Sequence, residues 1–315
     1  MIMEKKYRIS GHETFPCRYT WLPKAVRGLS KNPQLFSDED QAMVDLGVGK
    51  NMVRAIRYWA QTTGVVKQSD KGKTHLLSPF GETLLGEDGL DPFLEDIRTL
   101  WLIHWNLSTD VENPLLAWDY LLNRWHEPEF APSAVLKVLH KEANRHSENL
   151  SLVTVEQHLD TFLHTYIPTR GHKREVQEDN LDCPLVELEL IVKVGDRDLE
   201  HLSGRRESIY IFRRDEKPDV TLALFVYCLY DFWHKRHQTE ATLPLREVAY
   251  GYGSPGQVFK LSEEEVRTRA EGLEQYTGGL ITYTESASMQ QFRKHGERNS
   301  IELLKKVYAE EEGHG

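Results

Sequence analysis

Residues 46–61 have the sequence Leu46-Gly47-Val48-Gly49-Lys50-Asn51-Met52-Val53-Arg54-Ala55-Ile56-Arg57-Tyr58-Trp59-Ala60-Gln61, in which two glycines precede an amphipathic pattern. A helix advances about 100° per residue, so side chains three, four and seven positions apart share a face. The apolar face would hold Met52, Val53, Ile56, Trp59 and Ala60. The opposite face would hold Lys50, Arg54, Arg57 and Gln61, which we call the basic stripe. The stretch therefore predicts one buried and one basic helical face.

The flanking residues predict a winged helix-turn-helix module. Residues 38–46 favour a short helix with Ser37 as its N-cap, and the glycines at 47 and 49 favour a turn. After the second helix, residues 65–69 and 73–77 are typical of two strands joined by Asp70-Lys71-Gly72, a hairpin turn signal. In such modules the second helix enters the major groove of DNA.

The local charge favours nucleic acid as the partner of this module. Its basic residues are Lys50, Arg54, Arg57, Lys67, Lys71 and Lys73, and Asp70 is the single acid between residues 50 and 73. We predict that Arg54 and Arg57 face base edges or phosphates, that Asn51 and Gln61 contact bases, and that the four lysines hold phosphates. Two alternatives stay open, because a basic helical face is often only solvated and winged helices also dock proteins.

The whole chain limits these possibilities. It has 315 residues, a formal net charge of −10 and an ordinary composition, with 39% hydrophobic and 28% charged residues. This acidity counts against a protein that coats nucleic acid nonspecifically, but permits a binder with one local basic face. Cys17, Cys183 and Cys228 are too few and too scattered for a disulfide framework. The start has no signal-peptide pattern and no apolar run reaches membrane-spanning length, so we expect a cytoplasmic protein without membrane contact.

The rest of the chain predicts a mainly α fold with small β-wings, built as tandem winged helix-turn-helix modules. We expect an N-terminal module over residues 1–90, a helical middle domain over 91–205 with a possible second winged helix, and a C-terminal winged-helix-like domain over 206–315. In the middle domain, helices are predicted from Asp91 and over 114–125, 132–146 and 151–166. In the last domain, Ser262 and Glu265 form a capping-box pattern. A terminal helix is predicted over 291–312.

Patterns that would indicate catalysis or a cofactor are incomplete. His12-Glu13 lacks the second histidine of a zincin helix, because position 16 is proline. Gly251-Tyr252-Gly253-Ser254-Pro255-Gly256 matches GxGxxG, but a helix rather than a strand is predicted before it. Asp182, Glu187 and Glu189 raise the hypothesis of a metal-dependent nuclease, although the residue two positions before Lys193 is Ile191 instead of an acid. We therefore expect no bound cofactor and no catalytic residues.

Several longer strings resemble the bacterial family DUF4007. They are residues 11–19 (Gly-His-Glu-Thr-Phe-Pro-Cys-Arg-Tyr), residues 46–59, residues 91–96 with 100–105, and residues 178–185. The resemblance implies a setting in phage defence or DNA phosphorothioation, beside enzymes similar to phosphoadenosine-phosphosulfate reductases. It supplies no assigned catalytic residues.

These observations lead to three functional hypotheses. The first is a non-enzymatic DNA-binding accessory or regulatory subunit of a DNA-modification or phage-defence system, with double-stranded DNA as its partner. The second is a protein–protein adaptor that docks a sulfur-transfer or modifying enzyme. The third is the metal-dependent nuclease.

Overall fold

A computed structural model describes residues 6–69, 74–146, 150–168, 183–198, 206–286 and 288–309. These residues form helices with three small antiparallel sheets, which confirms the predicted mainly α fold with small β elements. They fall into two compact units. Unit 1 extends to Leu121 and includes Trp125–Arg213, and unit 2 comprises Leu122–Arg124 and the chain from Arg214 onward. Within the described residues, every helix is too short or too polar to cross a bilayer.

Unit 1 begins with three helices and a hairpin. These are α1 (Trp21–Lys31), α2 (Glu39–Leu46), α3 (Lys50–Thr62), β1 (Val66–Gln68) and β2 (His75–Leu77). The strands pair antiparallel, with Val66 opposite Leu77. The predicted turn at 70–72 lies outside the described residues.

The α2–α3 turn follows from its caps, although the predicted N-cap of α2 is wrong. Asp38 rather than Ser37 occupies that position, and its carboxylate accepts the backbone N–H groups of Asp40 and Gln41. A carboxylate at this position also interacts favourably with the positive end of the helix dipole. At the other end Gly47 adopts φ +64°, a left-handed conformation that costs glycine little and ends α2.

The next helices are α4 (Pro79–Leu85), α5 (Ile97–Thr109) and α6 (Leu116–Asn123). The helix predicted from Asp91 begins only at Ile97. The Asp91 carboxylate accepts the backbone N–H groups of Glu95 and Asp96 at 2.8 and 3.1 Å, which makes a turn instead of a first helical turn. Asp96 then caps α5 through the Arg98 N–H.

The remaining part of unit 1 repeats a pattern of helices followed by a hairpin. It contains β3 (Glu129–Phe130), α7 (Pro132–His146), α8 (Leu152–Tyr166), a 3-10 helix (Pro184–Leu188), β4 (Ile191–Asp198) and β5 (Arg206–Phe212), in the sheet order β3-β5-β4. Glu207 on β5 accepts the N–H and hydroxyl of Ser133, which ties the start of α7 to the hairpin.

Unit 2 has the same strand arrangement. It contains α9 (Leu222–Arg236), β6 (Thr242–Pro244), α10 (Leu245–Tyr250), α11 (Pro255–Phe259), α12 (Glu263–Glu271), α13 (Leu273–Thr277), β7 (Ile281–Ser286), β8 (Met289–Lys294) and α14 (Ser300–Tyr308), in the sheet order β6-β8-β7. The capping box of Ser262 and Glu265 is confirmed. The terminal helix begins later than predicted, because residues 291–294 pair with β7 as part of β8.

The glycine-rich segment before α11 is a turn between two helices. Ser254 caps α11 by accepting the Gln257 N–H, and Pro255 takes the first helical position. Lys260 ends α11 at φ +58° and is fully buried, and its ammonium donates to the Leu122 carbonyl at 2.6 Å. This segment therefore has a structural role in unit 2.

A buried histidine pair joins the N-terminal segment of unit 1 to α8. The Nε2 atom of His158 accepts the Ala117 N–H at 3.1 Å, and its Nδ1 atom lies 3.4 Å from Nε2 of His12. The two rings stack with centroids 5.5 Å apart. Burial, followed by the charge of His12, lowers the pKa of His158 to about 3. Burial also lowers the pKa of His12. Both rings are therefore neutral near pH 7.

We expect unit 1 to lose stability as the pH falls below the ordinary histidine pKa. The unfolded chain takes up a proton at His158 below pH 6.5, whereas the folded chain does so only near 3. The free energy of unfolding therefore falls across this window, by about 2 kcal/mol between pH 7 and pH 5. Urea denaturation followed by tryptophan fluorescence measures it, because all tryptophans except Trp233 lie in unit 1.

The variant His158→Gln should flatten this pH dependence, since glutamine can accept the Ala117 N–H without titrating. The exposed His126 provides the control, and His126→Gln should leave the slope unchanged. An equal loss of slope in both variants would contradict the assignment.

Candidate nucleic-acid interface

The buried face of α3 fixes the direction of its outer face. Val53, Ile56 and Trp59 are buried, and the Trp59 indole N–H donates to the Phe15 carbonyl at 2.9 Å. Its ring also meets Trp118 edge-to-face at 6.0 Å. An indole held by packing and by a hydrogen bond allows little rotation of the helix about its axis.

The basic stripe lies on the outer side of α3, as its spacing predicts. Lys50 and the neighbouring Asn51 are exposed, whereas Arg54, Arg57 and Gln61 are half-buried. Long side chains in such positions cover apolar surface with their stems and keep their polar ends in solvent. The structure thus places the predicted contact residues of α3 on one accessible helical face.

Glu39 on α2 joins two cations of the stripe. Its carboxylate accepts two hydrogen bonds from Arg54, from Nε at 2.9 Å and from Nη2 at 3.1 Å. The ammonium of Lys50 lies 3.2 Å from the same carboxylate. The Arg54 hydrogen bonds, then that of Lys50, lower the pKa of Glu39 to about 2. The net charge of these three side chains is therefore +1.

Arg57 and the hairpin complete the basic surface. Arg57 makes no hydrogen bond or ion pair with the parts of the chain that the structure describes. Its positive charge acts electrostatically on His75 of β2. Burial first, and then Arg57, lowers the pKa of His75. Lys67 is exposed on β1. The predicted phosphate ligands Lys71 and Lys73 lie outside the described residues.

Two other helices that precede a hairpin, α8 and α12, carry acids on their exposed faces. The exposed residues of α8 include Glu156, Gln157, Asp160 and His164. On α12, Arg267 pairs with Glu263 and Glu264, and Glu271 is exposed. Among these three helices, α3 is the one with a basic outer face.

The carboxylates considered for a nuclease are engaged with other side chains where the structure describes them. Glu187 on the 3-10 helix accepts the Tyr19 hydroxyl, and Glu189 pairs with Arg213. Asp182 lies outside the described residues. Within the described ranges, no three histidine, cysteine or acidic side chains are grouped in a way that could hold a metal ion.

The comparisons with known proteins identify the family. The sequence profile described as "Protein of unknown function (DUF4007)" matches residues 9–308, nearly the whole chain. The chain belongs to this family. Comparison of this DUF4007 chain with curated proteins gave no match.

Two solved structures are similar to this DUF4007 chain. They are described as "Magnesium ion-bound SspB crystal structure" and "SspB crystal structure". Each has a TM-score of 0.79 and 25% sequence identity, and each alignment covers 95% of this chain and 86% of the SspB chain.

Two features of the surface around α3 are not predicted by the sequence pattern. Glu39 has no helical spacing to Lys50 or Arg54, because a turn separates α2 from α3. A cleft of about 870 Å³ borders the start of α3 and includes Arg18, Lys24 and Phe93. The Arg18 guanidinium lies over the Phe15 and Trp21 rings at 5.6 and 5.3 Å, a cation–π arrangement.

We expect the charge of Glu39 to depend on its two cationic partners. In the wild type its carboxyl should titrate near the low pKa of about 2, and in Lys50→Ala plus Arg54→Ala it should return toward the ordinary value of 4.5. Carbon-13 NMR of the side-chain carboxyl carbons measures both. The control Arg145→Ala plus Arg206→Ala removes the same charge elsewhere and should leave Glu39 low. An ordinary pKa in the wild type would contradict the ion-pair geometry.

Proposed function

We propose that this DUF4007 chain binds double-stranded DNA through α3, as an accessory or regulatory subunit of a DNA-modification or phage-defence system. The order α1–α2–α3 followed by the β1–β2 hairpin is that of a winged helix-turn-helix, whose second helix enters the major groove. The sheet orders β3-β5-β4 and β6-β8-β7 support two further winged modules. The phosphorothioation setting and a reductase-like partner enter the proposal from the family resemblance alone.

The observation that carries this proposal is the difference in charge among α3, α8 and α12. Phosphates attract cations at close range and repel carboxylates, so α3 suits a DNA groove while the acidic faces of α8 and α12 do not. In the proposed complex, Lys50, Lys67, Lys71 and Lys73 hold phosphates and Asn51 and Gln61 contact bases. Arg54 and Arg57 supply the central contacts.

Removing the two arginines should weaken DNA binding and its salt dependence together. For Arg54→Ala plus Arg57→Ala, we expect loss of most affinity for a random duplex at low salt. The slope of log K against log salt should fall by roughly one if Arg57 alone neutralises a phosphate, and by roughly two if both arginines do. Fluorescence anisotropy at several salt concentrations measures both quantities.

The matched control is Arg145→Ala plus Arg206→Ala. Both arginines are exposed in unit 1, on α7 and β5, and pair with Glu142 and Asp198. This variant loses the same formal charge and should keep nearly all affinity. Equal losses in the two double variants would mean that overall charge, and not α3, attracts the DNA.

A protein-docking role is the second candidate, because α8 exposes apolar side chains in its first turn. Leu152 and Val153 are 49% and 59% exposed, at the end of the helix where α3 has Lys50 and Asn51. Exposed apolar groups beside acids suit a protein surface better than a phosphate backbone. Absence of duplex binding at low salt, with co-purification of a modifying enzyme that Val153→Glu abolishes, would favour the adaptor.

The nuclease hypothesis draws support from the SspB structure that is described as magnesium ion-bound. If the hypothesis holds for this chain, the wild type should cut supercoiled plasmid when Mg²⁺ is added, and Glu187→Gln should cut much more slowly. Equal cutting by both proteins would exclude a role for Glu187. An absence of Mg²⁺-dependent cutting would remove the hypothesis.

A further inference from the structure

One edge of the Arg54 guanidinium makes no hydrogen bond with the described residues. An arginine has two edges with parallel N–H donors, one formed by Nε and Nη2 and the other by Nη1 and Nη2. Glu39 occupies the first edge with two hydrogen bonds of 2.9 and 3.1 Å. Within the described parts of the chain, the hydrogen bonds of Arg54 run to Glu39 alone, so the second edge is available to a ligand.

The position of Arg54 suits a contact with the floor of a groove. It lies in the second turn of α3, and residues near the start of such a helix are those that reach base edges. Its side chain is 37% exposed, and Glu39 holds its guanidinium through two hydrogen bonds. A side chain already fixed in one orientation loses little conformational freedom when it binds.

The ion pair with Glu39 makes Arg54 a weaker phosphate ligand than Arg57. Glu39 offsets one of the two positive charges that surround it, and a phosphate near Arg54 would also meet the Glu39 carboxylate. Repulsion between the two anions favours a neutral ligand at this point. Arg57 has no ion-pair partner among the described residues, so it keeps its full charge for a phosphate.

We infer that Arg54 contacts a guanine in the major groove through its Nη1–Nη2 edge, and that Glu39 is the positioning residue for this contact. The inference rests on the proposed DNA-binding function. Two parallel donors require two neighbouring acceptors, which guanine offers at O6 and N7. Adenine places an amino donor beside N7, cytosine presents a donor, and thymine has one acceptor beside a methyl group.

The test begins with the tightest duplex that the full-length wild-type protein selects from a random pool. Each guanine in that duplex is then replaced in turn by 7-deazaguanine, which lacks the N7 acceptor but keeps the charge and the pairing of the base. We expect one guanine whose replacement weakens wild-type binding by roughly tenfold. Arg54→Lys should bind more weakly and should no longer distinguish guanine from 7-deazaguanine at that position.

Two further variants separate positioning from charge. Arg57→Ala should bind every duplex more weakly but keep the discrimination at that guanine. Glu39→Gln should bind random duplex more tightly, because it gains net positive charge, and should lose most of the discrimination, because an amide has one acceptor oxygen. Asp40→Asn is the matched control on α2: it removes the same charge without freeing Arg54, and discrimination should remain.

The outcomes distinguish this inference from the function on which it rests. The protein could bind duplex DNA while no guanine shows non-additive effects of the 7-deazaguanine replacement and Arg54→Lys. That result would overturn the guanine contact and leave DNA binding intact. No binding to any duplex at low salt would overturn both. Unchanged urea midpoints in all variants would show that the effects arise at the interface and not from unfolding.

Discussion

The hydrogen bond from the Trp59 indole to the Phe15 carbonyl is the constraint on which the candidate interface depends. Trp59 is buried, and its ring also packs on Trp118. Because the helix repeats every 3.6 residues, fixing position 59 also fixes the directions of positions 50, 54 and 57. The apolar residues of α3 therefore determine where its basic stripe points.

The segment that accepts this bond needs an unusual backbone, which explains several of its residues. Gly11 has φ +107°, and a β-carbon there would lie 2.9 Å from the Tyr58 ring. The His12 ring accepts the Thr14 N–H at 3.0 Å and stacks on His158. Glu13 and Thr14 also adopt positive φ. Such conformations persist only when the surrounding contacts hold them, and here the buried histidine pair provides those contacts.

The sequence predicted most helices and the β1–β2 hairpin because their determinants are local. Helical spacing and the capping box at Ser262 act within a few residues. It failed where two local signals competed, as at Asp91, or where pairing with a distant strand decided the outcome, as in β8. Glu39 escaped detection for the same reason. Its contact with Arg54 depends on the angle between α2 and α3, which no single-helix spacing encodes.

The ion pair of Arg54 with Glu39 is important because the whole chain has a net charge of −10. At distances beyond a Debye length of about 8 Å, dissolved ions screen the charges of the chain. The basic residues therefore do not draw a phosphate surface in from further away. Close to α3, Arg57 and Lys67 carry charges without ion-pair partners among the described residues, whereas Arg54 is already matched by Glu39. A surface of this kind gains little from phosphates in general and more from a groove whose acceptors fit a fixed guanidinium. If the proposed function holds, pairing Arg54 with an acid lowers nonspecific attraction to phosphates and favours selectivity for a groove.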